Sequence, residues 1–195
     1  MIPIETTSWV ILAGGQASRM NGNDKGLIEL NKKTLVEHAI EILAVQTDRY
    51  SINANRNLDT YQKFAPVIKD EITGFQGPLA GIHAGLANSK TEWVGFVPCD
   101  CPFIVGDLVE RFCNDVSESN LIYVAHDGEH VQPIFSLWNI KVLDALEDYL
   151  KRGERKVGFF YKEMNAKPVD FSDTPKSFVN LNTPEDLKQF EKAEL

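Results

Sequence analysis

The sequence predicts an α/β fold of three layers, with a mainly parallel central sheet and a small antiparallel portion. Strand-length apolar runs alternate with segments of helical periodicity through the first two-thirds of the chain, the pattern of βαβ crossovers. The runs Trp9-Val10-Ile11-Leu12 and Trp93 to Val97 are apolar at nearly every position, as strands covered on both faces are. Near Asp127-Gly128 the alternation breaks into a hairpin pattern, which supplies the antiparallel portion.

In order, Ser8 to Ala13 reads as a buried strand ending in Gly14-Gly15, and a loop rich in polar residues and glycine carries the chain to Asp24-Lys25-Gly26. Leu27 to Leu30 is a short strand entering an Asn31-Lys32-Lys33 turn. Thr34 and Glu37 form a capping-box pattern, and Leu35, Ala39, Ile42 and Leu43 repeat at helical spacing behind it. Tyr50 to Ala54 is a second long strand, Leu58 to Phe64 a short helix, and Pro66 to Lys69 a strand ending at Asp70. Pro78 suits the first turn of a helix running to Ala87. Trp93 to Val97 is followed by Pro98-Cys99-Asp100-Cys101-Pro102, Leu108 to Val116 returns as helix, and Leu121 to Ala125 and Gln132 to Trp138 pair across the hairpin. A helix from Ile140 to Lys151 stops at Gly153, a C′ glycine. Glu154 to Met164 is helical, Ala166 to Phe171 and Phe178 to Leu181 are short strands, and Thr183 caps a last helix.

Composition bounds the function. The 195 residues, 43% apolar and 25% charged, suit a single domain spanning 1–195 with a sizeable core. A net charge of −8 argues against a nucleic-acid surface, which needs a broad basic face. Three cysteines and four scattered histidines offer neither a disulfide framework nor zinc-ligand spacing, so a reducing, cytoplasmic setting is expected. No segment reads as a membrane span or a secretory leader. The patterns Gly-x-x-x-x-Gly-Lys-Ser/Thr, Gly-x-Gly-x-x-Gly and Gly-x-Ser-x-Gly are missing, which disfavours P-loop, dinucleotide and hydrolase chemistry.

The unusual residues fall at strand ends: Gly14-Gly15, Asn53, Asp70 and Asp100. In doubly wound sheets ligands lie outside the carboxyl ends of the strands, so one composite site is expected there. The glycines permit close approach of a ligand to backbone amides, and Arg19 and Lys25 add full positive charge; a plain turn with two solvated cations is the other reading. Asp100, held between two prolines, is either a hard-oxygen ligand for Mg²⁺ or a turn aspartate satisfying local amides. Cys99 and Cys101 beside it read as small core residues. Asn53 and Asp70 offer hydrogen bonds to a base or ribose, or cap their loops. Gly77-Pro78-Leu79-Ala80-Gly81 either packs a flat purine or makes a tight helix entry.

Leu12-Ala13-Gly14-Gly15-x-x-x-Arg19-Met20-x-x-x-Asp24-Lys25 resembles the signature of nucleotidyltransferases that activate phosphorylated small molecules with a nucleoside triphosphate. Within them the chain is similar to the molybdenum cofactor guanylyltransferases. The resemblance extends to Asn53-Ala54-Asn55-Arg56, Gly77 to Gly81, Pro98 to Phe103, Gly153 to Val157, Val169 to Phe171 and Phe178 to Glu185. It implies the three-layer Rossmann-like nucleotidyltransferase fold and transfer of GMP from GTP to the terminal phosphate of molybdopterin, with Mg²⁺ (or Mn²⁺) as cofactor. It further implies that Leu12, Ala13 and Gly14 lie along the nucleoside and that Gly15 begins the loop around the phosphates. Arg19 and Lys25 would neutralise phosphate charge, Asn53 and Asp70 contact the nucleoside, Gly77 and Pro78 line the nucleotide pocket, and Asp100 hold the metal. Arg155, Asn180 and Asn182 would face the pterin.

The partners implied are GTP, the molybdenum cofactor, other cofactor-biosynthesis proteins and acceptor molybdoenzymes, with neither nucleic acid nor membrane. Asn21 stands where the family usually has a glycine, and Gln132-Pro133 where some members have His-Pro. A cytidylyltransferase on the same cofactor, a sugar-phosphate nucleotidyltransferase and a nucleotide-binding regulatory protein without turnover are the competing readings.

Overall fold

Strand β1 (Thr7–Leu12) lies at the middle of the fold, and its period-two alternation explains the layering. In the computed structural model, which describes residues 1–14, 24–72 and 77–191, Trp9 and Ile11 enter one apolar cluster and Val10 enters the opposite one. Strand β6 (Trp93–Pro98) does the same, with Trp93 and Val97 on the first side and Val94 and Phe96 on the second. Both faces are therefore dry, and helices cover both. The first side takes α1 (Leu35–Ala44) and α4 (Leu108–Asp115); the second takes α3 (Pro78–Ala87), α5 (Leu143–Lys151) and α6 (Val157–Glu163). The expected three-layer α/β architecture is what forms.

The remaining strands are β2 (Glu29–Leu30) and β3 (Lys33–Thr34), a small hairpin, with β4 (Tyr50–Asn53), β5 (Val67–Ile68), β7 (Ile122–His126), β8 (Val131–Asn139) and β9 (Lys167–Asp170). The seven-stranded sheet runs β5-β4-β1-β6-β8-β7-β9. Only β8 is antiparallel to its neighbours, β6 and β7; every other pair is parallel. From β1 the chain winds outward through β4 and β5, then crosses back to β6 on the other flank. The reversal beside β1 is the topological switch point, where a crevice opens at the carboxyl ends.

The expected elements differ from the structure most in two places, beside shorter spans at Glu29–Leu30 and Val157–Glu163. Helix α2 covers only Leu58–Tyr61 and not the span to Phe64. Pro66 disfavours helical backbone at Ala65, and the chain closes instead through turns onto the Tyr61 carbonyl. Phe178 to Leu181, expected as a strand, is a 3-10 turn over Pro175–Phe178 followed by irregular backbone. This segment leaves the sheet edge and crosses the carboxyl ends, where the Leu181 amide donates to the Asp100 carbonyl at 2.9 Å rather than joining a ladder. Helix α7 (Pro184–Glu191) then packs Leu181 and Leu187 against Leu30 of β2 and Leu35 of α1.

Candidate active site

Register sets the carboxyl ends of four strands side by side. Leu12 pairs with Asn53 on one side and Pro98 on the other, and Asn53 pairs with Ile68. Above them lies a cleft of about 280 Å³. Leu12, Ala13, Gly14, Asn53, Pro98, Cys99 and Asp100 line it from the strand ends, Gly77, Pro78 and Gly81 from the start of α3, Ile134 from β8, and Lys25 from above. Eight residues singled out from the sequence thus meet in one cavity: Leu12, Ala13, Gly14, Lys25, Asn53, Gly77, Pro78 and Asp100.

One end of the cleft, at Asn53, abuts a fixed carboxylate, Asp70, which does not itself line the cavity. Asn53, buried at the end of β4, donates through Nδ2 to Asp70 Oδ1 at 2.8 Å and to the Ile68 carbonyl at 3.3 Å. Asn55 donates to Asp70 Oδ2 at 2.8 Å, and its own Oδ1 accepts from the Asp70 amide at 2.9 Å. Asp70 is thereby oriented by two amides, each oxygen keeping lone pairs for a ligand. Space beside it is kept by glycine. A Cβ on Gly81 would sit 2.4 Å from Asn53 Oδ1 and 2.9 Å from Leu12 Cδ2. At Gly14 the backbone is not left-handed and close approach is what matters: a Cβ there would come within 3.2 Å of both Asn53 Oδ1 and Asn55 Nδ2. Gly77 does need left-handed backbone, with φ +63° just before Pro78. Gly77, the N-cap of α3, has no side chain to cap its first turn.

The other end carries opposite charges. Lys25 Nζ donates to Asp100 Oδ2 and to Asn182 Oδ1, the latter at 2.5 Å. Asp100 shows no basic neighbour in sequence; the fold brings one from 75 residues away. Asn180 lies against the same carboxylate. Its amide nitrogen faces Asp100 and donates to Oδ1 at 2.9 Å, because the reverse orientation would set an amide oxygen against two carboxylate oxygens. Asn180 and Asn182 come from the irregular segment that was expected to be a strand. Beneath them Cys99 and Cys101 are buried and unpaired. Burial, with the Asp100 charge adding to it, holds both thiols far above the usual range, which makes them inert packing.

Lys25 itself is held from behind. Asp24 is buried and accepts from the Tyr61 hydroxyl at 2.7 Å and from Asn57 Nδ2 at 3.1 Å. Sequence reasoning passed over Asp24, Tyr61 and Asn55 as site residues. Asp24 beside a candidate cation, and Asn55 two residues beyond Asn53, were the available signals; for Tyr61 there was none. Arg155 stands apart from this network. Its guanidinium donates to the carbonyls of Leu150 at 2.8 Å and Glu154 at 2.5 Å and so closes the C-terminal end of α5. Gln132 serves its hairpin, donating to Asp127 Oδ2 at 2.6 Å. Gly15, Arg19 and Asn21 lie outside the described residues.

The sheet opens at its switch point onto a cleft with Asn53, bonded to Asp70, at one end and a lysine–aspartate pair at the other. Residues 9–166 match the model of the MobA-like NTP transferase domain. The chain belongs to the MobA-like NTP transferase family. It is 60% identical over 194 residues to the molybdenum cofactor guanylyltransferase of Vibrio parahaemolyticus, covering 100% of both chains. It is 59% identical over 194 residues, again 100% of both, to the protein of that name from Vibrio campbellii. Among solved structures it resembles molybdopterin-guanine dinucleotide biosynthesis protein A from Archaeoglobus fulgidus, with TM-score 0.78 and 23% identity over 95% of this chain and 97% of that one. The last likeness speaks for the fold: a MobA-like transferase sheet is retained where most of the sequence has changed.

Proposed function

We propose that the chain transfers GMP from GTP to the terminal phosphate of molybdopterin. A phosphate oxygen of the pterin attacks the α-phosphorus of GTP, the bond from that phosphorus to the bridging oxygen breaks, and pyrophosphate leaves with the bonding electrons. The product is molybdopterin guanine dinucleotide. The observation that carries this reading is one cleft with two ends: Asn53, whose amide is bonded to Asp70, and Lys25 with Asp100. That arrangement occurs in a chain 60% identical along its whole length to a molybdenum cofactor guanylyltransferase.

Each end has a task. Guanine presents adjacent N1–H and N2–H₂ donors, which suit the acceptor oxygens of Asp70; cytosine offers a lone pair at N3 in their place. Leu12, Ala13 and Gly14 supply a narrow surface for the nucleoside, and Gly77, Pro78 and Gly81 the facing wall. Lys25, with Arg19, neutralises charge that grows on the phosphates as the bond to the leaving group lengthens. No covalent enzyme intermediate is needed, so positioning and charge stabilisation carry the rate. Asn180 and Asn182, beside Lys25 and Asp100, are read as facing the pterin, whereas Arg155 is engaged with the carbonyls of Leu150 and Glu154.

The oxygens at this end of the cleft, the Asp100 carboxylate and Asn182 Oδ1, are hard ligands of the kind a divalent ion takes, and Lys25 Nζ rests against both here. A single protein carboxylate with the rest of the shell left to phosphates and water is the usual Mg²⁺ arrangement. Bound there, Mg²⁺ (or Mn²⁺) would neutralise phosphate charge. Three buried, unpaired cysteines support a reducing compartment, the cytoplasm. Among the described residues no helix is long and apolar enough to cross a membrane.

The test is pyrophosphate release by the purified chain with Mg²⁺, molybdopterin and either GTP or CTP. GTP is expected to be turned over far faster; preference for CTP would refute the guanylyl assignment. In the same assay Lys25→Ala is expected to lose on the order of 10²-fold in turnover. Asp100→Ala is expected to fold normally and nearly abolish release, and full activity of that variant would remove it from the reaction.

A further inference from the structure

We infer that Tyr61 is a positioning residue for Lys25, holding from behind the two residues that flank it. Its hydroxyl donates to Asp24 Oδ1 at 2.7 Å, and Asn57 Nδ2 holds the second oxygen at 3.1 Å. On the other flank, a Cβ on Gly26 would sit 2.5 Å from the same hydroxyl, so Tyr61 lies close to both neighbours of the lysine and only glycine fits between. Between them Lys25–Leu27 forms a 3-10 turn, closed by the Leu27 amide on the Asp24 carbonyl at 3.0 Å. The lysine side chain reaches Asp100 and Asn182.

The arrangement is buried. Tyr61 is 0% exposed and Asp24 9% exposed, and the ring packs in the main apolar cluster. A buried hydroxyl there must find an acceptor, since an unpartnered one costs more than the bond contributes. Burial, with Asp24 adding to it, keeps the phenol protonated and therefore a donor. Phenylalanine would fill the same apolar space. The hydroxyl is thus explained by Asp24, and Asp24 by its place next to Lys25. The inference rests on the reading that Lys25 meets the phosphates in the transition state.

Tyr61→Phe keeps the ring and removes one donor. It is expected to lower turnover about tenfold while KM for GTP moves by less than about twofold, because a misplaced Lys25 loses transition-state contact first. In a Lys25→Ala background the same change is expected to have no further effect on turnover. Multiplied losses in Lys25→Ala/Tyr61→Phe would show that Tyr61 acts on something else and would overturn the inference. Asp24→Asn retains an acceptor for the hydroxyl, and Asn57 can turn its own amide to match. It is expected to keep turnover well above that of Asp24→Ala; equal losses would also overturn the inference, whatever the stability of Tyr61→Phe. The two readings fail separately. Full turnover in Lys25→Ala defeats the role given to the lysine, whereas a crippled Lys25→Ala beside a fully active Tyr61→Phe defeats the positioning role alone.

Discussion

Gly81 shows how a residue with no chemistry of its own can govern a site. Its position is helical and tolerates alanine by propensity, yet the added methyl would meet Asn53 Oδ1 at 2.4 Å. Something must shift, and Asn53 is the group that orients Asp70. Gly81→Ala is expected to raise KM for GTP about tenfold, the effect of misplacing one charged hydrogen-bond partner, with a thermal midpoint close to that of the parent. Steady-state kinetics and a thermal unfolding curve check both halves. Asn53, Asp70 and Asp100 were legible in the sequence because they are polar residues in places where apolar runs stop, and Lys25 because it is a cation that follows a paired-glycine loop. Their partnerships were not: Asp100 found its cation from 75 residues away, and Asn55 and Tyr61 gained their roles only through contacts.

At the scale of elements, local rules were followed wherever the chain needed only its near neighbours. Thr34 and Glu37 form the full capping box: the Glu37 amide donates to Thr34 Oγ1, and Glu37 Oε2 accepts from the Thr34 amide at 2.8 Å. Thr34→Ala is expected to lower stability by about 1 kcal/mol in chemical denaturation. The Thr34 hydroxyl and amide hold the Glu37 carboxyl below its ordinary value of 4.5. A lowered carboxyl value adds stability that is complete above 4.5 and is lost as pH falls through the lowered folded value. The stability gap between the parent and Glu37→Ala should therefore narrow as unfolding is followed from pH 7 down to about pH 3. Where the next partner is remote, local reasoning failed. Phe178 to Leu181 has strand composition, but the segment crosses over strand ends and never meets a free edge.

The whole molecule joins its two halves at the cleft through the C-terminal segment. Leu181, fully buried between Asn180 and Asn182, packs with Leu30, Leu35 and Leu187, so one apolar cluster seats both asparagines beside Asp100 and Lys25. Leu181→Ala leaves a cavity there and is expected to cost about 2–4 kcal/mol, measured by denaturant unfolding. It should also lower turnover at a temperature where the variant is still folded, because the segment that positions Asn180 and Asn182 loses its anchor. The same scale explains the core. Trp9 lies so close to Gly95 that a Cβ would meet its ring at 2.3 Å, a fit between adjacent strands that no periodicity announces.

By itself the sequence determined the alternation of strand and helix, the dry central strands, the caps, the hairpin and the strand ends at which polar residues gather. Those properties follow from near neighbours and from hydrophobic period, and both are written along one dimension. Tertiary structure alone decided that Lys25 would face Asp100, that Asp70 would be braced by two amides, and that Asn180 and Asn182 would reach the cleft from irregular backbone. It also turned an apolar-looking tyrosine into the support of Lys25. Each of these is a contact between segments whose separation is set by strand order and register, and strand order is a property of the packed sheet.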